Sequence, residues 1–280
     1  MSLAFLFPGQ GSQRVGMGAD VFELFPELVA EADAVLGYSI STLCLEGPED
    51  RLGQTQFTQP SLYVVSYLTA LAKISEGQAP TVAAGHSVGE FAALAFSKAF
   101  SFADGLRMVA KRGEIMAKVS GGGMAAVIGL EAVGIEETLA SNDLNQVDLA
   151  NFNSPGQIVV SGPADSVEMA VPLLKEAGAR LVVPLKVSGA FHSRMMKEPS
   201  LEFEEFIKTF IFSAPSFPVY ANVHALSYDK PEEIPECLVL QMRRPVRWTE
   251  TITNLRSSGV SEFLECGPGN VLTKLLRQIP

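Results

Sequence analysis

The stretch TVAAGHSVGEFAALAFSKA, residues 81–99, admits few architectures. A short apolar run meets an alanine-rich run across a G-H-S-V-G turn. The first run has the length of a strand, and the second suits a helix that is apolar on most sides. A buried strand therefore feeds a buried helix, as in layered α/β folds built on a mainly parallel sheet. The rest of the chain keeps that rhythm. LAFLF (3–7) reads as a buried strand cut short by Pro8-Gly9. Helical periodicity covers 19–36, and also 60–76, where Pro60 suits a first helical position. Further helices are expected over 103–118, 196–210, 232–242, 249–257 and from about 270, with strands at 218–223 and 262–266.

The rhythm changes after SGGGM (120–124). MAAVIGL reads as a strand, 133–141 as a helix, VDLANF and QIVVSG as strands, 164–177 as a helix and RLVVPLKV as a strand. That order, β-α-β-β-α-β, is ferredoxin-like. The expectation is an α/β protein with a hydrolase-like large domain, residues 1–122 and 188–280, and an inserted ferredoxin-like small domain, residues 123–187.

Composition narrows the function. A net charge of −10 disfavours nucleic acid and anionic membrane as partners. No apolar run approaches the ~18 residues of a membrane helix, and the N-terminus lacks the basic leader of a signal peptide. Cys44, Cys237 and Cys266 are odd in number and far apart, which fits a reduced, cytoplasmic setting without a metal site.

A G-x-S-x-G turn between strand and helix has the form of a nucleophile elbow, with Ser87 as candidate nucleophile. Small residues at 85 and 89 relieve crowding, and the helix N-terminus offers N–H groups to an oxyanion. Without chemistry, the same turn is a glycine-flanked connection. A serine needs a base. His86 adjoins Ser87 but points to the opposite side of the strand, so it reads as packed. His224 follows a strand and reads as a surface residue. His192, in SGAFHSRMM between the insert and a helix, is the favoured base. Asp148 and Asp165 fall between Ser87 and His192 but lie in the insert, where they read as solvated or capping.

Seven blocks occur in order: FPGQGSQRVGMG, GHSVGEFAAL, KRGEIM, ANFNSPGQIVVSG, SGAFHSRMM, QMRRPVRWTET and ECGPGNVLTKLL. Together they resemble the malonyl-CoA:acyl carrier protein transacylases of fatty acid and polyketide synthesis, over essentially the whole chain. The resemblance implies transfer of a malonyl group from coenzyme A to the phosphopantetheine thiol of an acyl carrier protein, through a malonyl-Ser87 intermediate. It implies His192 as base, held by the backbone carbonyl of Gln241, and an oxyanion hole from the N–H groups of Gln10 and Val88. It implies that Arg112 grips the malonyl carboxylate, a task suited to a planar guanidinium. Taken alone, Arg112 would read as a solvated helix arginine. Phe191, directly before His192, accompanies malonyl over methylmalonyl specificity in the polyketide branch, although residue 189 is glycine where that pattern usually has histidine. Asn151 and Asn153 are expected to line the cleft or to serve as turn residues.

No cofactor is implied beyond malonyl-CoA as substrate. The chain looks like a freestanding, monomeric, trans-acting enzyme. A basic patch of Arg243, Arg244 and Arg247, with Arg194 and Lys197, is a candidate docking surface for the anionic carrier. The rival reading is a serine acyl hydrolase, which would share Ser87 and His192 but would not need Arg112.

Overall fold

The structure, a computed structural model, describes residues 2–187 and 189–280. Ser188, where the second large-domain segment was expected to begin, lies outside the described residues. The chain opens with β1 (Leu3–Phe7), whose alternation places Phe5 and Phe7 in one hydrophobic cluster and Ala4 and Leu6 in another. A strand buried on both faces needs cover on both, and helices supply it.

Helix α1 (Pro26–Leu36) is shorter than the 19–36 expected from periodicity, because turns occupy 16–24. Two short helices, α2 (Ile40–Glu46) and α3 (Glu49–Leu52), follow. Helix α4 spans Thr55–Ser75 and starts before Pro60, which therefore lies inside it rather than at its first position. The Thr58 hydroxyl donates to the carbonyl oxygens of Leu52 (2.6 Å) and Gln54 (3.1 Å), so the first turn is anchored upstream of the proline. This extra length carries Gln59 into the site.

Strand β2 (Val82–Gly85) runs into α5 (Gly89–Phe96), and α6 (Phe102–Ala117) packs beside α4. The second sheet contains β3 (Gly122–Ile128), α7 (Ala132–Ser141), β4 (Asp148–Ser154), β5 (Gln157–Pro163), α8 (Ala164–Glu176) and β6 (Leu181–Pro184). Its order is β4-β5-β3-β6, wholly antiparallel, which is the ferredoxin-like arrangement. Alternation along β3 turns Ala125 and Val127 toward its own helices, and Met124 and Ala126 toward the main core.

The chain returns through His192 to α9 (Lys197–Ile207), β7 (Val219–Tyr220), α10 (Glu233–Gln241), α11 (Trp248–Ser257), β8 (Glu262–Glu265) and α12 (Val271–Leu276). The first sheet has the order β7-β2-β1-β8, all parallel. Strand β4 is stitched to the segment between α10 and α11 by backbone: Phe152 N–H donates to Val246 O and Val246 N–H to Ala150 O, each at 2.9 Å.

Candidate active site

Parallel pairing of β1 with β2 puts the loop after β1 beside the turn after β2. That turn is tight. A Cβ at Gly85 would sit 2.0 Å from the Gly89 carbonyl carbon, and one at Gly89 would sit 2.1 Å from Phe7 O. Ser87 itself has φ of +51°, a left-handed conformation that costs a non-glycine residue energy and here holds its hydroxyl clear of the chain. The Asn222 side chain braces the strain, accepting from Ser87 N–H at 2.7 Å and donating to Gly85 O at 2.6 Å.

The Ser87 Oγ lies 2.9 Å from His192 Nε2. On the far side of the ring, His192 Nδ1 lies 2.6 Å from the backbone oxygen of Gln241. A carbonyl oxygen only accepts, so Nδ1 carries the proton and Nε2 presents its lone pair to the serine. No carboxylate touches the ring among the described residues. Burial, then the positive charge of Arg112, push His192 down to about 3, so the imidazole is neutral at ordinary pH. His192 also has a left-handed backbone, φ +58°, and its N–H donates to Met242 O.

Arg112, on α6, is 1% exposed. Its Nη2 donates to Ser87 Oγ at 3.1 Å and to Gln241 Oε1 at 2.7 Å, and its Nη1 donates to Gln59 Oε1 at 2.6 Å. Its Nε is buried without a partner. Burial lowers Arg112 to about 10, still cationic at neutral pH. A cation beside a serine hydroxyl, with donor capacity unspent, has the chemistry to receive an anion next to that hydroxyl.

A cavity of about 90 Å³ brings together Gln10, Ser87, Val88, Arg112, Phe191 and His192, with Asn151, Gln59, Met116 and Met124 on its walls. Among the described residues, the backbone N–H groups of Gln10 and Val88 find no acceptor. Asn153 is not on that wall: its Oδ1 lies 2.8 Å from Nε2 of His86, which does line the cavity, so Asn153 sits behind it as a packing partner. His224 is half-buried, and its Nδ1 accepts from Leu226 N–H. Asp148 holds Arg194 through a bidentate contact, and Asp165 is exposed in the first turn of α8. All three cysteines are buried, and burial raises each thiol far above its usual range, so none rivals Ser87 as nucleophile. Among the described residues no group of three His, Cys, Asp or Glu side chains could hold a metal ion, and no single helix is long and apolar enough to cross a membrane.

The family model for the acyl transferase domain matches residues 4–279. The chain belongs to this acyl transferase family. It is 49% identical over 279 residues to the polyketide biosynthesis malonyl CoA-acyl carrier protein transacylase PksC of Bacillus subtilis, covering 99% of this chain and 96% of that one. It is 51% identical over 277 residues to the polyketide biosynthesis protein ThaF of Burkholderia thailandensis, but spans only 24% of that protein's length against 99% of its own. A solved complex of a type II polyketide synthase acyl-carrier protein with its malonyl-transacylase, PlMCAT with holo AntF, superposes with a TM-score of 0.95. It is 39% identical, and the match covers 100% of this chain and 93% of that one. The hydrolase-like α/β fold with a ferredoxin-like insert is thus the fold of known transacylases.

Four members of the hydrogen-bond network around Ser87, Arg112 and Gln241 are not singled out by the sequence: Gln59, Glu90, Asn222 and Tyr228. Glu90 had a signal available, as the only charge in an otherwise apolar helix.

A second opening of about 460 Å³ shares His192 with the cavity and is lined by Lys197, Arg243 and Arg244 as well as Glu136 and Asp148. Two members of the expected basic patch are already paired, Arg194 with Asp148 and Arg247 with Glu250, each at 2.5 Å. Lys197, Arg243 and Arg244 remain as its unpaired part among the described residues.

Proposed function

We propose that this chain transfers a malonyl group from coenzyme A to the phosphopantetheine thiol of an acyl carrier protein, in polyketide synthesis. The observation that carries this reading is Arg112 Nη2 lying 3.1 Å from Ser87 Oγ in one buried cavity. An acyl group bearing a carboxylate two carbons from its thioester carbonyl can bind the cation and present that carbonyl to the serine. In the first half-reaction, His192 Nε2 takes the Ser87 proton as Oγ attacks the thioester carbon. The oxyanion is held by the N–H groups of Gln10 and Val88. Collapse expels the coenzyme A thiolate, which takes the proton from His192. In the second half-reaction, the carrier thiol gives its proton to His192 and attacks malonyl-Ser87, and the serine oxygen leaves with that proton.

Gln241 offers a neutral carbonyl in place of the usual triad carboxylate, which stabilises the imidazolium less. The weaker base favours a thiol nucleophile over water. Phe191 lies against the acyl cavity and limits substitution at the malonyl α-carbon. No step needs a cofactor. Carrier docking falls to Lys197, Arg243 and Arg244 around the opening that leads to His192. We assign residues 1–122 and 188–280 to a catalytic unit and 123–187 to an inserted one, acting as a cytoplasmic monomer. The names of PksC and ThaF support a polyketide setting over fatty acid synthesis.

The test is intact-mass measurement after mixing with malonyl-CoA, followed by peptide mapping. The expected result is one malonyl adduct on Ser87 that is discharged by a holo carrier protein. Rapid steady hydrolysis with no transfer would replace this reading with a serine hydrolase.

A further inference from the structure

Behind the nucleophile elbow sits a carboxylate that the proposed chemistry does not use. Glu90, one residue into α5, is fully buried. Its partners are neutral donors. Tyr228 OH reaches Oε1 at 2.6 Å, Asn222 N–H reaches the same oxygen at 3.2 Å, and Gln241 Nε2 reaches Oε2 at 2.6 Å. Gln241 is thus the meeting point of the site. Its backbone oxygen accepts from His192, its Nε2 also donates to Ser87 O at 2.9 Å, and its Oε1 accepts from Arg112.

We propose that Glu90 is a positioning residue for acyl selectivity: it fixes the orientation of the Gln241 amide, and that amide holds Arg112 ready for the substrate's carboxylate. The inference rests on the reading that Arg112 binds that carboxylate.

The argument is one of donors and acceptors. An ionised carboxylate only accepts, and so does Ser87 O, so the NH₂ end of the Gln241 amide must face them. Its oxygen is then forced toward the guanidinium. A flipped amide would set an oxygen against two acceptors and an NH₂ against a cation. The neutral spacer has a second effect. A carboxylate placed directly on Arg112 would occupy the donors that a substrate carboxylate needs. Through the amide, Glu90 offsets part of the burial cost of the cation without taking its open side. Burial pushes the Glu90 carboxyl up to about 7, opposed by its hydrogen bonds and by Arg112, so it changes charge near neutrality. The titratable groups facing it are Arg112 from α6, Cys237 from α10 and Tyr228 from the loop after β7.

The experiment measures kcat/KM for malonyl-CoA and acetyl-CoA across the neutral pH range, in wild type, Glu90→Gln and Tyr228→Phe, with melting curves for each. In wild type, the malonyl-to-acetyl ratio should fall as pH drops through about 7. Glu90→Gln weakens the acceptor and sets a donor against either Asn222 N–H or Gln241 Nε2. The ratio should drop by roughly tenfold to a hundredfold above neutrality, the scale of a hydrogen bond to a charged group, and should no longer respond to pH. Tyr228→Phe removes a donor that favours the carboxylate, so the acid limb of the ratio should move to higher pH. That shift is the remaining test if Glu90→Gln does not fold, and its absence would overturn the proposal. A Glu90→Gln ratio equal to wild type, or equal losses for both acyl groups, would make Glu90 a structural residue only. If the wild type forms no malonyl adduct, the functional reading fails first, and that outcome is distinct from either of these.

Discussion

Replacing Arg112 with alanine should separate the proposed recognition of the acyl group from the proposed chemistry at Ser87. The guanidinium is 1% exposed and donates to Gln59, Gln241 and Ser87. With it gone, a malonyl carboxylate would enter a cavity of about 90 Å³ with no cation to meet it. Breaking a buried charge pair by deleting one partner costs about 3–5 kcal/mol, which at ~1.36 kcal/mol per decade is roughly 10²–10⁴ in malonyl acylation. Acetyl-CoA brings no carboxylate, so its acylation should not fall in parallel, and selectivity should collapse or invert. His192 should also become easier to protonate, because the Arg112 charge is one of the causes holding it down. Arg112→Lys should recover only part of the loss, since a compact ammonium lacks the planar fork that reaches Gln59 through Nη1 and Gln241 through Nη2 and can pair both oxygens of a carboxylate. The assay is kcat/KM for both acyl-CoAs, with a melting curve, because Gln59 and Gln241 lose their donors. Equal losses for the two substrates in a folded variant would refute carboxylate recognition by Arg112.

Ser87→Ala should abolish acylation and leave the fold intact, because Asn222 bonds the backbone of residue 87 and not its hydroxyl; mapping an adduct elsewhere in the wild type would reassign the nucleophile. His192→Ala should slow acylation by roughly 10²–10⁴, whereas the same change at His224 should have no effect; stopped-flow acylation with malonyl-CoA distinguishes them. Glutamate at Lys197, Arg243 and Arg244 should raise the apparent KM for a carrier protein, and more so at low salt; salt-independent kinetics would discard the patch. Stability should respond to pH in two opposed ways. His192 is lowered to about 3, so its contribution is complete above 6.5 and is lost as pH falls toward 3. Glu90 is raised to about 7, so its contribution is complete below 4.5 and is lost as pH rises toward 7. Between 4.5 and 6.5 the two slopes oppose each other. Relative to wild type, Glu90→Gln should therefore gain stability with rising pH in that window, measured as urea midpoints; a difference that is flat in pH would contradict the buried-acid assignment.

The strands and the elbow were legible because local chemistry specifies them. An apolar run closed by Pro8-Gly9 can only stop, and the close approach of residues 85 and 89 is written in their side chains. The insert was legible because its rhythm differs from that of the flanking helices. Helix starts were less so. Residues 16–24 share the apolar spacing of a helix yet form turns, and Pro60 suggested a first turn because the Thr58 anchor upstream is a tertiary contact. At the site, Ser87 and its glycines are local. Gln59, Asn222 and Tyr228 reach it from remote segments, and nothing in their immediate sequence distinguishes them from surface polar residues. The sequence does not reveal the Gln241 side-chain amide as the group that joins serine, arginine and Glu90; that junction exists only in the fold.

The stitch between Val246 and residues 150–152 bears on how such proteins can be recombined. The antiparallel sheet looks like a cassette, entered near residue 122 and left before His192. It is not a free one. Its β4 shares backbone hydrogen bonds with the segment after Gln241, and Met124 from β3 forms part of the wall of the cavity beside Ser87. A chimera that swaps only the cassette, for instance to change carrier preference, would inherit a foreign register against Val246. It would tilt the Gln241 carbonyl on which His192 hangs. Grafts should travel with the 241–249 segment as well, and a cassette moved alone should lose turnover before it loses foldedness.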